Sequence, residues 1–218
     1  MKNCIMIKKG MKFIMKILKK LLIICILLFI YIFICSKSYV STVSSNISNS
    51  VFRLHVIANS DSNEDQTLKY IVRDNLLNYM NTLTTDISSK ELAIKTVREH
   101  ENEFYNIAKK TIIENGFNYD VKININYSYF PTKSYGDITL PAGYYDCLKV
   151  EIGEAKGQNW WCVMFPPLCF VDISTGIVPE ESKKQIEQEL NAEEYSLIST
   201  TNNQTINLKF KILEIFSR

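Results

Sequence analysis

The run Leu21–Cys35, LLIICILLFIYIFIC, carries no charged or strongly polar side chain, and no other feature of the chain limits its fate so sharply. Seven lysines precede it, Lys2, Lys8, Lys9, Lys12, Lys16, Lys19 and Lys20, with no acidic residue among them. An apolar stretch behind a basic leader is directed to a membrane, with the lysines kept inside and everything after Cys35 placed outside. As a helix at about 1.5 Å per residue the run reaches roughly 22 Å, short of the roughly 30 Å hydrocarbon core of a bilayer. That length suits the apolar region of a signal peptide. Phe13–Leu18 lengthens it if Lys16, Lys19 and Lys20 snorkel to the interface. Residues 1–35 therefore read either as a signal peptide or as a transmembrane anchor. Ser36-Lys37-Ser38 offers small residues for cleavage, whereas Ile32–Cys35 is not a lipoprotein-type box. A buried core helix is the remaining alternative, and the flanking lysines disfavour it.

With those lysines set aside, 18 basic residues face 23 acidic ones, so the rest of the 218-residue chain is acidic. This argues against nucleic acid, whose binding needs a clustered basic surface. Residues 36–50, SKSYVSTVSSNISNS, are mostly serine, threonine and asparagine and read as a linker that builds no core. Residues 51–218 then suit one domain.

From Val51 to Asn59, Phe52, Leu54, Val56 and Ala58 alternate with Arg53 and His55, the period of a strand with one buried face. Ser60–Asn63 supplies turn and cap chemistry, and Glu64 and Asp65 stand in the first turn of a helix whose dipole favours acids. Leu68, Val72, Leu76, Tyr79, Met80 and Leu83 follow at helical spacing. A second helix opens at Ser88 with Glu91 completing a capping box, carries Ala93, Val97, Phe104, Ile107, Ala108 and Ile112, and stops at Gly116. The period then becomes two along Val121–Tyr129 and Leu148–Ile152, with further strands expected over Tyr135–Leu140 and Asn159–Phe165. A charged helix runs from Pro179 to about Asn191, and Ile206, Leu208, Phe210 and Ile212 form a closing strand. The fold class is α+β, a single exported domain with helices packed on a mostly antiparallel sheet.

Chemistry has few footholds. His55, near Asn59, Asp61 and Asp65, could serve Cys162 or Cys169 as the base of an exported Cys/His hydrolase acting on cell wall or peptide. Both cysteines sit in the apolar stretch WWCVMFPPLCF, where burial raises a thiol's pKa and dulls it. His55 and His100 are the only histidines; no HxxEH or CxxC spacing supports a metal, and no phosphate loop or GxSxG elbow is present. No cofactor or small-molecule substrate is expected. Beyond the N-terminal segment stand Cys147, Cys162 and Cys169. In an oxidising compartment Cys162 and Cys169 are the natural pair, since Pro166-Pro167 bends the chain between them; the alternative is three small buried hydrophobes. Adjacent Trp160 and Trp161 point to opposite faces of a strand. One of them is then an exposed interface anchor, unless both faces are covered.

Two stretches carry a family resemblance. Arg53-Leu54-His55-Val56-Ile57-Ala58-Asn59-Ser60-Asp61-Ser62, continuing through Glu64-Asp65-Gln66, Leu68-Lys69 and Val72-Arg73-Asp74, resembles the opening block of the stage II sporulation protein R family. Pro141-Ala142-Gly143, Tyr145, Ile152-Gly153-Glu154, Gly157 and Asn159-Trp160-Trp161-Cys162-Val163 through Phe165-Pro166-Pro167-Leu168-Cys169-Phe170 resembles its second block. The chain departs from the family pattern at Cys147, where a small residue is usual, at Tyr144, where an acid is usual, and at Ala155, which replaces a glycine. The resemblance implies a non-enzymatic signal of endospore formers, made in the forespore and exported into the intermembrane space, secreted or anchored. There it would activate the membrane-bound aspartic protease that processes pro-sigma-E in the mother cell. Arg53, His55, Asn59, Asp61, Asp65, Trp160 and Trp161 are the expected partner contacts.

Overall fold

A computed structural model describes residues 2–83, 87–169 and 178–199, with side chains from Ile14 onward. The chain divides into two units, Met1–Thr42 and Val43–Arg218. Helix α1, Lys2–Ser50, begins in the first and ends in the second. Within the first unit its side chains from Ile14 to Ile34 stand exposed all round, as they do on a helix made for lipid. From Ile14 to Cys35 this helix reaches roughly 33 Å at about 1.5 Å per residue, enough for the hydrocarbon core. Among the described residues it is the one helix long and apolar enough to cross a membrane.

The second unit begins earlier than composition suggests, and the reading of 36–50 as a coreless linker is corrected over its last turns. Val43 and Ile47 lie one turn apart, and Ile47 is buried with Val51 in a core cluster. The hydroxyls of Ser48 and Ser50 donate back to the carbonyls of Ser45 and Ile47, each at 2.9 Å. Serines that bond their own helix in this way lose their need for water, so a polar composition still buries.

Four strands form the main sheet: β1 Phe52–Ile57, β2 Val121–Phe130, β5 Gly143–Ile152 and β6 Asn159–Phe165. Their order is β2-β5-β1-β6, with β1 parallel to β5 and the other two pairings antiparallel. Between β2 and β5 the chain makes a hairpin, β3 Lys133–Tyr135 and β4 Ile138–Leu140, where a single strand was expected. Gly136 breaks it at φ +57°.

Three helices cover one face of the sheet: α2 Asn63–Leu83, α3 Lys90–Glu99 and α4 Glu101–Glu114. Leu68, Val72, Leu76, Met80, Ala93, Val97, Phe104, Ala108 and Ile112 meet Phe52, Leu54, Val56, Leu148, Val150 and Ile152 there. The expected long second helix is two helices. Its cap is Ser89, whose side chain accepts from Leu92 N, and it breaks at His100, whose Nδ1 meets the Tyr79 hydroxyl at 2.9 Å. Gly116, at φ +85°, ends the second.

The opposite face is covered as well. The β3–β4 hairpin, α5 Glu180–Glu189, α6 Ala192–Ile198 and the end of α1 bring Ile138, Leu140, Ile186, Ile198 and Ile47 against Phe130, Tyr145, Cys147 and Val163. β1 is consequently buried along all six residues, which corrects its reading as a strand with one wet face. Alternation marked the two faces; the second layer made both of them interior. The expected strand at Ile206–Ile212 lies outside the described residues.

Candidate partner-binding site

Asn59, Asp61 and Asp65 close the fold at the exit of β1. Asn59 Nδ2 donates to Asp65 Oδ2 at 2.8 Å, and the Ser60 hydroxyl to the same oxygen at 2.6 Å. Asn59 Oδ1 accepts from Glu154 N, and Asp61 Oδ1 from Gln158 N. Backbone bonds from Lys156 N and Gly157 N to Asn59 O and Ala58 O complete the seam between the β1–α2 and β5–β6 loops. Gly157 fits because a Cβ there would stand 2.2 Å from Ser60 O. Burial opposes ionisation of Asp65, but the hydrogen bonds from Ser60 and Asn59 outweigh it and hold its pKa below the ordinary carboxylate value. Asp65 is 3% exposed, so its expected role as a partner contact gives way to a structural one.

Arg53 is corrected in the same way, being wholly buried. Its Nη2 donates to the Tyr135 hydroxyl at 2.6 Å, and its guanidinium lies 4.1 Å from the Phe130 ring centroid and 4.7 Å from that of Tyr145. Among the described residues no carboxylate pairs with it, and Nη1 has no hydrogen-bond partner. His55, 8% exposed, is also no surface contact. It lies parallel to the Trp161 indole, centroids 5.9 Å apart, with Nε2 2.7 Å from Asn159 Oδ1. Desolvation is the main cause of its lowered pKa, which the Asn159 hydrogen bond partly offsets, so its imidazole is neutral at neutral pH.

The two tryptophans lie on opposite faces of β6 and both are half-buried. Trp161 leans on His55 and takes Lys133 Nζ at 5.2 Å from its ring. Trp160 meets Tyr70 edge to face at 5.3 Å. Over both rings lies the Arg73 guanidinium, 4.4 Å from Trp160 and 5.0 Å from Tyr70, with its charge paired to Asp74 at 2.6 Å. Cations over indole faces are attracted by the ring quadrupole, and Trp, Tyr and Arg are the residues that anchor protein interfaces. Tyr70 and Arg73 are neighbours of Trp160 that the sequence reading missed. Their spacing of three on α2, outside the stripe of Leu68, Val72 and Leu76, is the signal that pairs them.

Among the described residues of the folded unit no reactive thiol accompanies His55. Cys162 and Cys169 are joined as a disulfide, Cα atoms 5.5 Å apart across the turn at Pro166 and Pro167. Cys147 is buried, and desolvation pushes its thiol up to about 11. Among the described residues no group of three His, Cys, Asp or Glu side chains is placed to hold a metal. A cleft of about 340 Å3 between the first turns of α2 and the end of α4 is lined by Asn63, Glu64, Thr67, Leu68, Ile71, Asn115 and Phe117, and it touches none of the expected site residues.

The loop seam and the β6 aromatics both fall inside residues 48–175, the segment matched by the family model for stage II sporulation protein R (spore_II_R). Stage II sporulation protein R of Bacillus subtilis (strain 168) is 38% identical over 187 residues, covering 79% of this chain and 84% of that protein. No solved structure matches. A match that takes in β1, the helical layer, both long strands β2 and β5, and β6 embraces the folded core itself, and the chain belongs to the stage II sporulation protein R family, with a role in sporulation.

Proposed function

We propose that this chain is an intercompartmental signal of sporulation, exported from the forespore, whose folded domain binds the outward-facing part of a membrane-bound aspartic protease. That protease then processes pro-sigma-E in the mother cell. Family membership across the folded core carries the reading, and the apolar N-terminal helix supplies the route to the intermembrane space. A ligand activates an enzyme by binding its active state more tightly than its inactive one, which asks of this domain a rigid surface and no catalysis of its own. The Trp160–Tyr70–Arg73 cluster is such a surface in this reading, with the Trp161–Lys133 pair on the opposite face of the same edge strand. The rival, a Cys/His hydrolase, has a histidine but no reactive thiol among the described residues of the folded unit: Cys162 and Cys169 are bonded, and Cys147 is buried and protonated.

The test is deletion of the gene in its host, with sigma-E processing followed by immunoblot after sporulation is induced. Processing should stop, and it should return with a copy whose residues 1–38 are replaced by an unrelated cleavable signal peptide. Processing that continues without the gene removes the proposal. Restored copies carrying Arg73→Ala or Trp160→Ala should fold and be exported yet process sigma-E poorly; normal processing in both would move the contact surface elsewhere.

A further inference from the structure

We propose that the tyrosine cluster formed by Tyr127, Tyr129 and Tyr144 docks the folded domain on the headgroup layer of the membrane that holds the N-terminal helix. Tyr127 and Tyr144, at 61% and 55%, are with Ile113 the most exposed large apolar side chains of the folded unit's described residues. They stack on each other with centroids 5.6 Å apart, and Tyr129 meets Tyr144 edge to face at the same distance. Three adjacent rings on outer strand β2 and its neighbour β5 present an apolar face with phenolic tips. The Tyr129 hydroxyl, shielded from water, has no hydrogen-bond partner among the described residues. Tyrosine at an apolar–polar boundary is the composition of the interfacial belts of membrane proteins.

The cluster stands at the end of the sheet where the chain arrives from the N-terminal segment. A Cβ on Gly143, next to Tyr144, would lie 3.4 Å from Ser44 Oγ. Lys90 Nζ donates to Ser48 O at 3.0 Å and pairs with Asp146, two residues beyond Tyr144, at 2.7 Å. Only residues 36–42 separate Cys35 from the folded unit, and even fully extended they span at most about 25 Å. Chain length alone therefore limits how far Val43, where the folded unit begins, can stand from Cys35. Residues 36–50 contain Lys37 and no acid, so nothing in them repels an anionic headgroup layer. The inference rests on the N-terminal helix remaining attached as an anchor.

Full-length protein is reconstituted in phosphatidylethanolamine/phosphatidylglycerol vesicles, plain or containing spin-labelled lipid, and tryptophan fluorescence is compared across variants. The added emission of Tyr127→Trp and of Tyr144→Trp should be lost with headgroup-labelled lipid. That of Tyr105→Trp, on α4, should be unchanged. Phe29→Trp, read with acyl-chain-labelled lipid, reports the anchor separately: no quenching there overturns the anchoring premise. Quenching of Phe29→Trp with none at positions 127 and 144 overturns the docking itself. If those two positions are not quenched while Tyr127→Ser/Tyr144→Ser abolishes sigma-E processing, the cluster contacts protein rather than lipid and the membrane assignment falls.

Discussion

Arg53 keeps a guanidinium wholly inside the protein with no carboxylate among the described residues paired to it, so packing and neutral acceptors hold it there. A desolvated cation over an aromatic ring gains about 2 kcal/mol, and here Phe130 and Tyr145 both contribute. Arg53→Ala should cost about 3 kcal/mol or more, since it opens a cavity among three rings. Arg53→Met should cost clearly less, because a buried charge replaced by an apolar chain of similar length is often close to neutral. Urea unfolding of both variants checks the order; equal losses would assign the role to the charge instead. His55 makes a pH prediction. Its folded pKa lies below the unfolded value of about 6.5, so its stabilising contribution is complete above that value and is lost as pH falls through it towards the folded pKa. The melting temperature of the wild type should drop more between pH 7.5 and 5.5 than that of His55→Gln. Neither role was legible in the sequence, because alternation places Arg53 and His55 on the face away from Leu54 but cannot say that a hairpin and two helices will cover it.

At the scale of elements, the β5–β6 turn brings opposite glycine effects within three residues. Ala155 adopts φ +52°, a left-handed conformation that costs an L side chain roughly 1–2 kcal/mol. Ala155→Gly should therefore stabilise by about 0.5–1 kcal/mol after the entropy of the freer unfolded chain is counted. Gly157→Ala should do the reverse and severely, because the new Cβ meets backbone rather than a movable side chain. Thermal melts of the two variants test both signs. This turn also explains why the first sequence block reads as a functional motif. Asn59, Asp61 and Asp65 are polar and close together, the usual marks of a site, yet their bonds run to Glu154 N, Gln158 N and each other. A sequence shows the cluster but not the loop, nearly a hundred residues away, that satisfies it. The aromatic block was easier to read. Trp160 and Trp161 had to face opposite ways on one strand, whereas Tyr70 and Arg73 became visible only once α2 was laid beside β6. For Cys162 and Cys169, spacing and the prolines between them already suggested a pair. Under denaturing, non-reducing conditions, mass spectrometry of the exported domain should find Cys147 as its one free thiol; three free thiols would remove the bond. In the native state, Cys147 should resist alkylation at pH 8, being buried and raised to about 11.

The whole molecule joins a segment made for lipid to a domain made for water, and where the second starts decides how the protein can be cut. Composition puts that boundary after Ser50, because SKSYVSTVSSNISNS resembles a tether. Packing puts it near Val43, since Ile47 is 1% exposed in a cluster with Val51, Phe130 and Tyr145, and Asn46 Nδ2 donates to Glu194 at 2.6 Å. Lys90 adds a bond to Ser48 O from the helical layer. The last turns of α1 thus bind elements from the middle and the end of the sequence, which a tether would not do. Ile47→Ala should cost about 2–4 kcal/mol, against a change within about 0.5 kcal/mol for Asn49→Ala, whose side chain is exposed two residues on. A protein beginning at Val43 should melt with the same midpoint as the domain in the full chain, whereas one beginning at Val51 should be lowered by many degrees or fail to fold. If the shorter version melts normally, residues 43–50 are dispensable and the compositional boundary was right. If it does not, any cleavage that releases this domain intact must fall before Val43, so that a protein cut free of its apolar helix still carries α1's final turns as part of its core.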